Sequence, residues 1–388
     1  MRVLHLITAL NPGGIERFVL NLLEYVPRNE CTMDVCCRGK EKGAWAPQAQ
    51  GLGAEVLTCP LTPWHLGFAV GLRQILRRGR YDILHCHLGA YSGFPVWLGH
   101  SVGIPVINTF HNTRFEPHRW WTKLPVLRSL RSVYSKLSVG YAVKKSDLLI
   151  CVSQGVSDFV HGGKEDPRRK THVLHHGVRI PDLWNEEQKA SFKESLGFPK
   201  DSILIINVGR FNVQKNHIAI IKVFVRVSET NSRARLLLVG DGELHSEIER
   251  ELVSRKLEEK VRLLGPRDDV YTVLTGCDVF LFPSLYEGFG IAALEANAAG
   301  LPVVGSRIPG LVDAVEDGRT AILHESGDIE GMASSVLMLL QDQQKARRMG
   351  AAGRLRVQEN FSLELMAARQ LALYRKCLES RARPEGKV

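Results

Sequence analysis

No stretch of this 388-residue chain comes near the roughly 18–20 consecutive apolar residues that a membrane-spanning helix needs, so a helical membrane protein is not expected. The eight cysteines include no Cys-x-x-Cys pair. They lie mostly inside apolar runs (Cys36, Cys37, Cys86, Cys151, Cys277) and read as reduced core residues of a cytosolic protein. Asp-x-Asp is absent, so a bound divalent metal is not expected, and no other cofactor is expected either. His85 and His87 stand two apart on a strand-like run, but no third ligand is apparent and no metal site is assigned to them. G-x-G-x-x-G is also missing, which removes the dinucleotide fingerprint. There is no low-complexity tract. Val3–Ala9 is too short, and at His5 and Thr8 too polar, for a leader, and reads as a first strand.

What remains is a soluble composition, 44% hydrophobic and 24% charged, in a chain long enough for two domains with full cores. The charge is uneven. Residues 1–190 hold 24 Lys and Arg against 15 Asp and Glu, whereas residues 191–388 hold 27 against 26. That imbalance points to an anionic partner for the first half. A nucleic-acid-binding protein is one reading of the net charge of +10, but it would need basic residues interleaved with aromatics on a recognisable module.

Strand-like runs at Val3–Thr8, Met33–Cys37, Glu55–Cys59, Ile83–His87, Val106–Phe110, Leu148–Val152 and Val173–Leu174 are mostly separated by helical or basic segments. Such alternation predicts a parallel sheet with helices on both faces. After the first run come the turn Asn11-Pro-Gly-Gly14 and a helix with apolar residues at Ile15, Phe18, Val19, Leu22, Leu23 and Val26. Strand, glycine turn and helix form the phosphate-binding opening of a doubly wound domain, although most such turns merely turn. His111 follows the run Val106–Phe110, at a strand end where ligands gather; a histidine bonded to backbone is the alternative.

Residues 181–200 change composition, with prolines at both ends of a short charged helix. The expected division is residues 1–182, a linker at 183–200, a second domain at 201–362 and a final helical segment at 363–388. A second alternating series runs through Ile203–Val208, Leu236–Val239, Val261–Leu264, Val279–Phe282, Pro302–Gly305 and Ala321–Leu323. In G-R-F-N-V-Q-K-N, on the loop leaving its first strand, Arg210 and Lys215 lie five apart. A loop can bring both onto one anion, and a solvated basic loop is the alternative.

The chain is organised around Ser284–Ser306, SLYEGFGIAALEANAAGLPVVGS. A loop with Glu287, Gly288, Phe289 and Gly290 leads into an Ala-rich helix that Gly300 and Pro302 end. Its apolar stripe is expected on Ile291, Leu294 and Ala298, with Glu295 at the edge, where a carboxylate is costly unless something binds it. Two carboxylates flanking a helix N-terminus beside two glycines suit a nucleotide sugar: amides for phosphate, carboxylates for hydroxyls. A capping Glu and a second Glu reaching to solvent would satisfy the same spacing.

P-S-x-x-E-G-F-G, then L-E-A and G-x-P-V-V, resembles the Glu, seven residues, Glu signature of retaining glycosyltransferases of family 4, with the GT-B fold. Gly13-Gly14-Ile15-Glu16 and Gly209-Arg210 with Lys215 are similar to that family's patterns as well, and the likeness spans nearly the whole chain. The resemblance implies an α/β, GT-B architecture: two Rossmann-like, doubly wound domains facing across a cleft that holds the active site, the C-terminal helix crossing back to the first domain. It gives Glu287 and His111 to the donor sugar, Glu295 to the ribose hydroxyls, Gly288 to Ile291 and Arg210 with Lys215 to the diphosphate. The loops Gly240–Gly242 and Gly265–Arg267 would hold the base, and Gly13 and Gly14 would contribute to donor binding. Asn297, Asp313 and His176 stand where the family usually has Met, Glu and Asn.

The implied activity is transfer of a hexosyl-type group, with retention, from a uridine- or guanosine-diphosphate sugar to an acceptor hydroxyl. The expected acceptor is lipid-linked or a surface polysaccharide. A GT-B epimerase or phosphorylase acting on sugar phosphates is the alternative, and nucleic acid is not an expected partner. Residues 114–145 carry eight Lys and Arg against Glu116 alone, with Trp120-Trp121 beside Arg119 and Lys123. From Leu127, the residues Leu130, Tyr134, Leu137 and Tyr141 form a helical stripe that reads first as a core face. The tryptophans and cations suggest a cytoplasmic protein that docks peripherally on an anionic membrane surface.

Overall fold

The computed structural model describes residues 1–60, 66–113, 125–166 and 170–382. The chain divides into two units, one of Met1–Gly177 with Leu363–Val388 and one of Val178–Ser362.

In the first unit seven strands form one sheet: β1 (Arg2–Ile7), β2 (Thr32–Cys37), β3 (Val56–Thr58), β4 (Ile83–Cys86), β5 (Val106–Phe110), β6 (Leu148–Cys151) and β7 (Thr171–Val173). Their order is β3-β2-β1-β4-β5-β6-β7 and every pairing is parallel. The alternation of apolar runs predicts this, because parallel strands covered by helices on both faces have no polar side. β4 and β5 are buried at every position. The helix Leu363–Ala382 belongs to this unit and supplies Leu363, Met366, Leu371, Tyr374 and Cys377 to its core.

The second unit carries β8 (Ile203–Val208), β9 (Ala234–Val239), β10 (Val261–Gly265), β11 (Val279–Phe282), β12 (Val303–Ser306) and β13 (Ala321–His324) in the order β10-β9-β8-β11-β12-β13, again all parallel. Residues 178–200 are part of it. Trp184 and Phe192 pack edge to face at 5.4 Å over Gly276, where a Cβ would lie 2.5 Å from the Phe192 ring. Strand order reverses between β1 and β4 in one sheet and between β8 and β11 in the other. Loops at the carboxyl ends of strands beside such a reversal make the crevice where ligands bind in open α/β sheets.

Two periodicity readings need correction. Helix Pro125–Lys145 does not bury the Tyr134, Leu137, Tyr141 stripe: Leu137 is 70% exposed, and Tyr134 and Tyr141 are also at the surface. Its buried residues include Ser138 and Ala142. The Gly93 amide donates to Ser138 Oγ (3.0 Å), and a Cβ on Gly93 would sit 2.6 Å from the Ser138 carbonyl. Close backbone approach, not large side chains, chose the buried face. In helix Ile291–Ala298 the buried set is Ala293, Leu294, Ala296, Asn297 and Ala298, while Ile291 is only partly buried. Residues 114–124, with Glu116, Arg119, Trp120, Trp121 and Lys123, and the side chains of Leu127, Arg128 and Leu130, lie outside the described residues.

Candidate active site

Among the described residues, five hydrogen bonds join the loops leaving β8 and β11. The Leu285 amide donates to the Gln214 carbonyl (2.9 Å), and Gln214 Nε2 donates to the Tyr286 carbonyl (3.0 Å) and Glu287 Oε2 (3.2 Å). Asn216 Nδ2 reaches the Pro283 carbonyl (3.3 Å), and Lys215 Nζ meets Glu287 Oε1 at 2.6 Å. The Lys215 side chain is 16% exposed and that of Glu287 9%, so this is a largely desolvated ion pair. Asn212 accepts from the Lys215 amide (3.2 Å) and fixes the turn, while the Lys215 stem lies 3.1 Å from where a Cβ on Gly209 would stand.

Lys215 and Glu287 are thus brought together, whereas Arg210 is exposed and its guanidinium has no hydrogen-bond or ionic partner among the described residues. The expected convergence of both cations on one anion is therefore not preformed, because Lys215 is held by Glu287. Gly288 leads to Phe289, which is buried against Phe361 with centroids 5.8 Å apart. Gly290 caps helix Ile291–Ala298 in the left-handed region at φ 69°, and the first N–H groups of a helix have no partner within it. Gly310 closes the floor: a Cβ there would lie 2.7 Å from the Glu287 carbonyl and 2.8 Å from that of Gly288.

One turn along the helix, Glu295 Oε1 accepts from the Tyr271 hydroxyl at 3.1 Å. Burial, reinforced by the Glu295 charge, holds the Tyr271 phenol well above its usual range, so it remains a donor. Arg267 is committed to Asp269 through two bonds of 2.7 Å. Asn297 is a core group, donating to the carbonyls of Leu301 (3.0 Å) and Thr320 (3.2 Å).

In the first unit His111 follows β5, and Phe18, from the helix that begins at Gly14, packs edge-on against it at 5.7 Å. Gly13 caps that helix with extended backbone and makes no side-chain cap bond. His111 Nε2 bonds His87 Nδ1 (3.0 Å), and His87 Nε2 bonds His5 Nδ1 (3.0 Å). His5 supplies the third imidazole that the sequence did not reveal beside His85 and His87. Candidate ligand atoms of these three lie within 4.8 Å of one another. Their nitrogens are engaged in a chain of separate hydrogen bonds, however, and do not converge on one point. Burial pushes His5 and His176 down to about 3, and His85, His87 and His111 well below their usual range, so all five are neutral near pH 7.

Residues 188–356 match the family described as Glycosyl transferases group 1, and residues 12–180 match Glycosyltransferase Family 4. The chain belongs to the group 1, family 4 glycosyltransferases. An Escherichia coli relative named UDP-Gal:alpha-D-GlcNAc-diphosphoundecaprenol alpha-1,3-galactosyltransferase is 26% identical over 341 residues, 85% of each chain. N-acetyl-alpha-D-glucosaminyl L-malate synthase of Bacillus anthracis is 26% identical over 315 residues, 80% of this chain and 79% of that one. The fold is that of Anabaena HepE, solved with UDP and with UDP-glucose. The UDP complex superposes with a TM-score of 0.82 at 19% identity, covering 97% of this chain and all of that one. Among the described residues of this glycosyltransferase no helix is long and apolar enough to cross a membrane. Gln214, Tyr271 and Gly310 were not singled out in the sequence; only Gln214 carries a local signal, lying between Arg210 and Lys215 in the loop motif.

Proposed function

We propose that this glycosyltransferase moves a hexosyl group from a uridine- or guanosine-diphosphate sugar to an acceptor hydroxyl with retention. The observation that carries the reading is the Lys215–Glu287 pair beside the Gly288–Gly290 turn at the reversal between β8 and β11. Departure of a nucleoside diphosphate needs negative charge stabilised on the leaving group. Exposed Arg210, Lys215 once it shares its charge, and the helix N-terminus after Gly290 supply this without a metal. Lys215 and Gln214 each hold one oxygen of Glu287, which suits a fixed acceptor for sugar hydroxyls better than a nucleophile. Glu295, oriented by Tyr271, is assigned to the ribose, and His111 to the donor sugar. UDP and UDP-glucose in the HepE structures support a nucleotide-sugar donor.

A lipid-linked acceptor draws support from the name of the Escherichia coli relative. Peripheral docking on an anionic membrane draws support from the exposed row of Val133, Tyr134, Leu137 and Tyr141 on a helix that also carries Arg131, Lys136, Lys144 and Lys145. Uridine or guanosine diphosphate should raise the melting temperature where oligonucleotides do not, and product analysis should find glycosylated acceptor only when acceptor is added. A sugar phosphate converted without acceptor would favour an epimerase or phosphorylase. Flotation should show salt-sensitive binding to anionic vesicles only; equal binding to neutral vesicles would remove the docking.

A further inference from the structure

In the second unit the loops of the candidate site leave the carboxyl ends of β8 and β11, and a cavity of about 630 Å³ opens at the amino ends of the same strands. Ser202 and Ile203 at the head of β8, Asp278 and Val279 at the head of β11, and Gly300 to Pro302 before β12 line it. β8 is six residues long, so the two places stand about 20 Å apart at opposite ends of the strands. Helices Glu186–Ser195 and Gln343–Asn360 supply the side walls. The walls are tied together. Arg354 Nη1 donates to the carbonyls of Pro181 (2.8 Å) and Ala298 (2.6 Å), and a Cβ on Gly350 would collide with the Gly300 carbonyl.

The recess is basic. Lys189, Lys193, Lys200, Arg233, Arg347 and Arg354 line it against Glu186, Asp201 and Asp278, an excess of three positive charges. Arg233 and Arg347 are exposed, and their guanidiniums have no hydrogen-bond or ionic partner among the described residues. Lys193 is the most constrained of the six. Its side chain is only 11% exposed, and the carboxylate it faces, Asp278, stands 3.7 Å away, beyond hydrogen-bond distance. That same carboxylate oxygen already accepts from the Leu204 amide at 2.8 Å. A nearly buried ammonium is costly unless an anion lies close to it. Ser202 adds to the deficit, for it is buried and its hydroxyl has no partner among the described residues. Between the cations the lining is apolar, with Ile203, Leu301 and Leu340, while half-exposed Leu183 and Leu355 offer area that a ligand would remove from water.

We propose that this cavity is a second ligand site, for a small molecule that carries an oxyanion, phosphate or carboxylate, on an apolar body. Lys193, Arg233 and Arg347, the cations without a close carboxylate, supply the field that holds the oxyanion, and the leucines and Trp184 receive the body. The volume is that of a small-molecule pocket, roughly 300–1,000 Å³, and not of a groove for a folded partner. The site lies within the second unit and away from the Lys215–Glu287 pair, so it does not rest on the function proposed above.

The test uses the full chain with 15N-indole tryptophan, since Trp184 is the one tryptophan of six that lines the cavity. Trp184→Phe identifies its signal. Phenyl phosphate and benzoate are the probes, and the tighter of the two names the oxyanion. At least one should shift the Trp184 indole saturably with a millimolar Kd, about tenfold or more tighter than phenol or inorganic phosphate. Arg233→Gln and Arg347→Gln remove exposed cations and spare the fold, and each should weaken the better probe about threefold. Lys193→Met with Asp278→Asn, which keeps an acceptor for the Leu204 amide, should weaken it about tenfold. Arg210→Ala, at the other end of β8, should leave the Trp184 response unchanged. No saturable Trp184 shift with either probe overturns the proposal, as does equal binding of phenol. Full affinity in the Gln variants and the double variant, or loss of the response in Arg210→Ala, overturns it too. Failure to transfer a sugar would count against the function proposed above and leave this site standing.

Discussion

In the first unit, polar groups enter a parallel-sheet core as neutral rings bonded to one another; in the second, they do so as a cation and an anion 2.6 Å apart. The neutral row needs no counter-ion. The ion pair stores charge that an incoming diphosphate can redistribute. Because a lone buried charge is far costlier than a lone buried hydroxyl, the second arrangement is also the more fragile to single substitutions.

The sharpest break is Lys215→Ala. It leaves the Glu287 carboxylate buried without its cation and should cost about 3 kcal/mol of stability. Turnover should fall by about two to three orders of magnitude, as when a transition-state charge stabiliser is lost. Arg210→Ala removes an exposed, unpartnered cation, so stability should change by less than about 0.5 kcal/mol while turnover still drops. Urea melts and initial rates separate the two. The double change Lys215→Met with Glu287→Gln should recover stability but not rate. Equal destabilisation by Lys215→Ala and Arg210→Ala would dissolve the contrast between a structural and a free cation.

Acid should act on the other unit. His5 and His176 are held at about 3, whereas an unfolded histidine titrates near 6.5. Above about pH 6.5 both states are neutral and nothing is lost. As pH falls towards about 3 the unfolded chain takes up protons that the folded chain refuses, so each histidine removes up to about 1.4 kcal/mol of stability per pH unit. In the second unit, burial lowers only His217, to about 4, while half-buried His245 shifts the opposite way beside Asp241. Peptide-level hydrogen exchange, corrected for intrinsic rates, should therefore show β1, β4 and β5 losing more protection than β8 and β9 between pH 7 and pH 5.5. Equal loss would mean that the histidine row is not what acid attacks.

Next in size is Glu295→Gln, which keeps the shape and removes the charge that strengthens its hydrogen bonds. Calorimetry with a nucleoside diphosphate sugar should show binding weakened by about 1.5–3 kcal/mol. Unchanged affinity in a folded variant would take Glu295 out of the site.

The same contrast explains what could be read in advance. The second site lies on two short loops whose glycines and charges sit within a few residues of one another, so Glu287, Glu295, Arg210 and Lys215 were visible as a motif. The Lys215–Glu287 contact was not, because it joins residues 72 apart in the chain. In the first unit His85 and His87 were visible as a pair, but His5 and Tyr374 come from positions 369 apart and meet only once β1, β4 and the C-terminal helix assemble. Strand positions were legible because parallel strands buried on both faces leave plain apolar runs. The buried face of helix Pro125–Lys145 was not, because Gly93, Ser138 and Ala142 set it through small size, which a hydrophobic stripe does not register.

The smallest effect is expected at Arg267, which the family resemblance gives to the base. Its side chain is 36% exposed and that of Asp269 47%, so the pair sits largely in water despite its two short bonds. Exposed pairs contribute about 0–1 kcal/mol, and Arg267→Ala should change stability by no more than that. Because the guanidinium is already committed to Asp269, the same change should alter donor KM by less than about threefold, below one neutral hydrogen bond. Asp269→Asn makes the opposite test, releasing the guanidinium while keeping the side-chain shape. If Arg267 faces the nucleotide, Asp269→Asn should tighten nucleoside diphosphate binding slightly in calorimetry, and Arg267→Ala in that background should abolish the gain. No change in either would assign the pair to the loop alone and leave base recognition to Gly240–Gly242, where a Cβ on Gly240 would lie 2.1 Å from the Gly209 carbonyl and the backbone must stay bare.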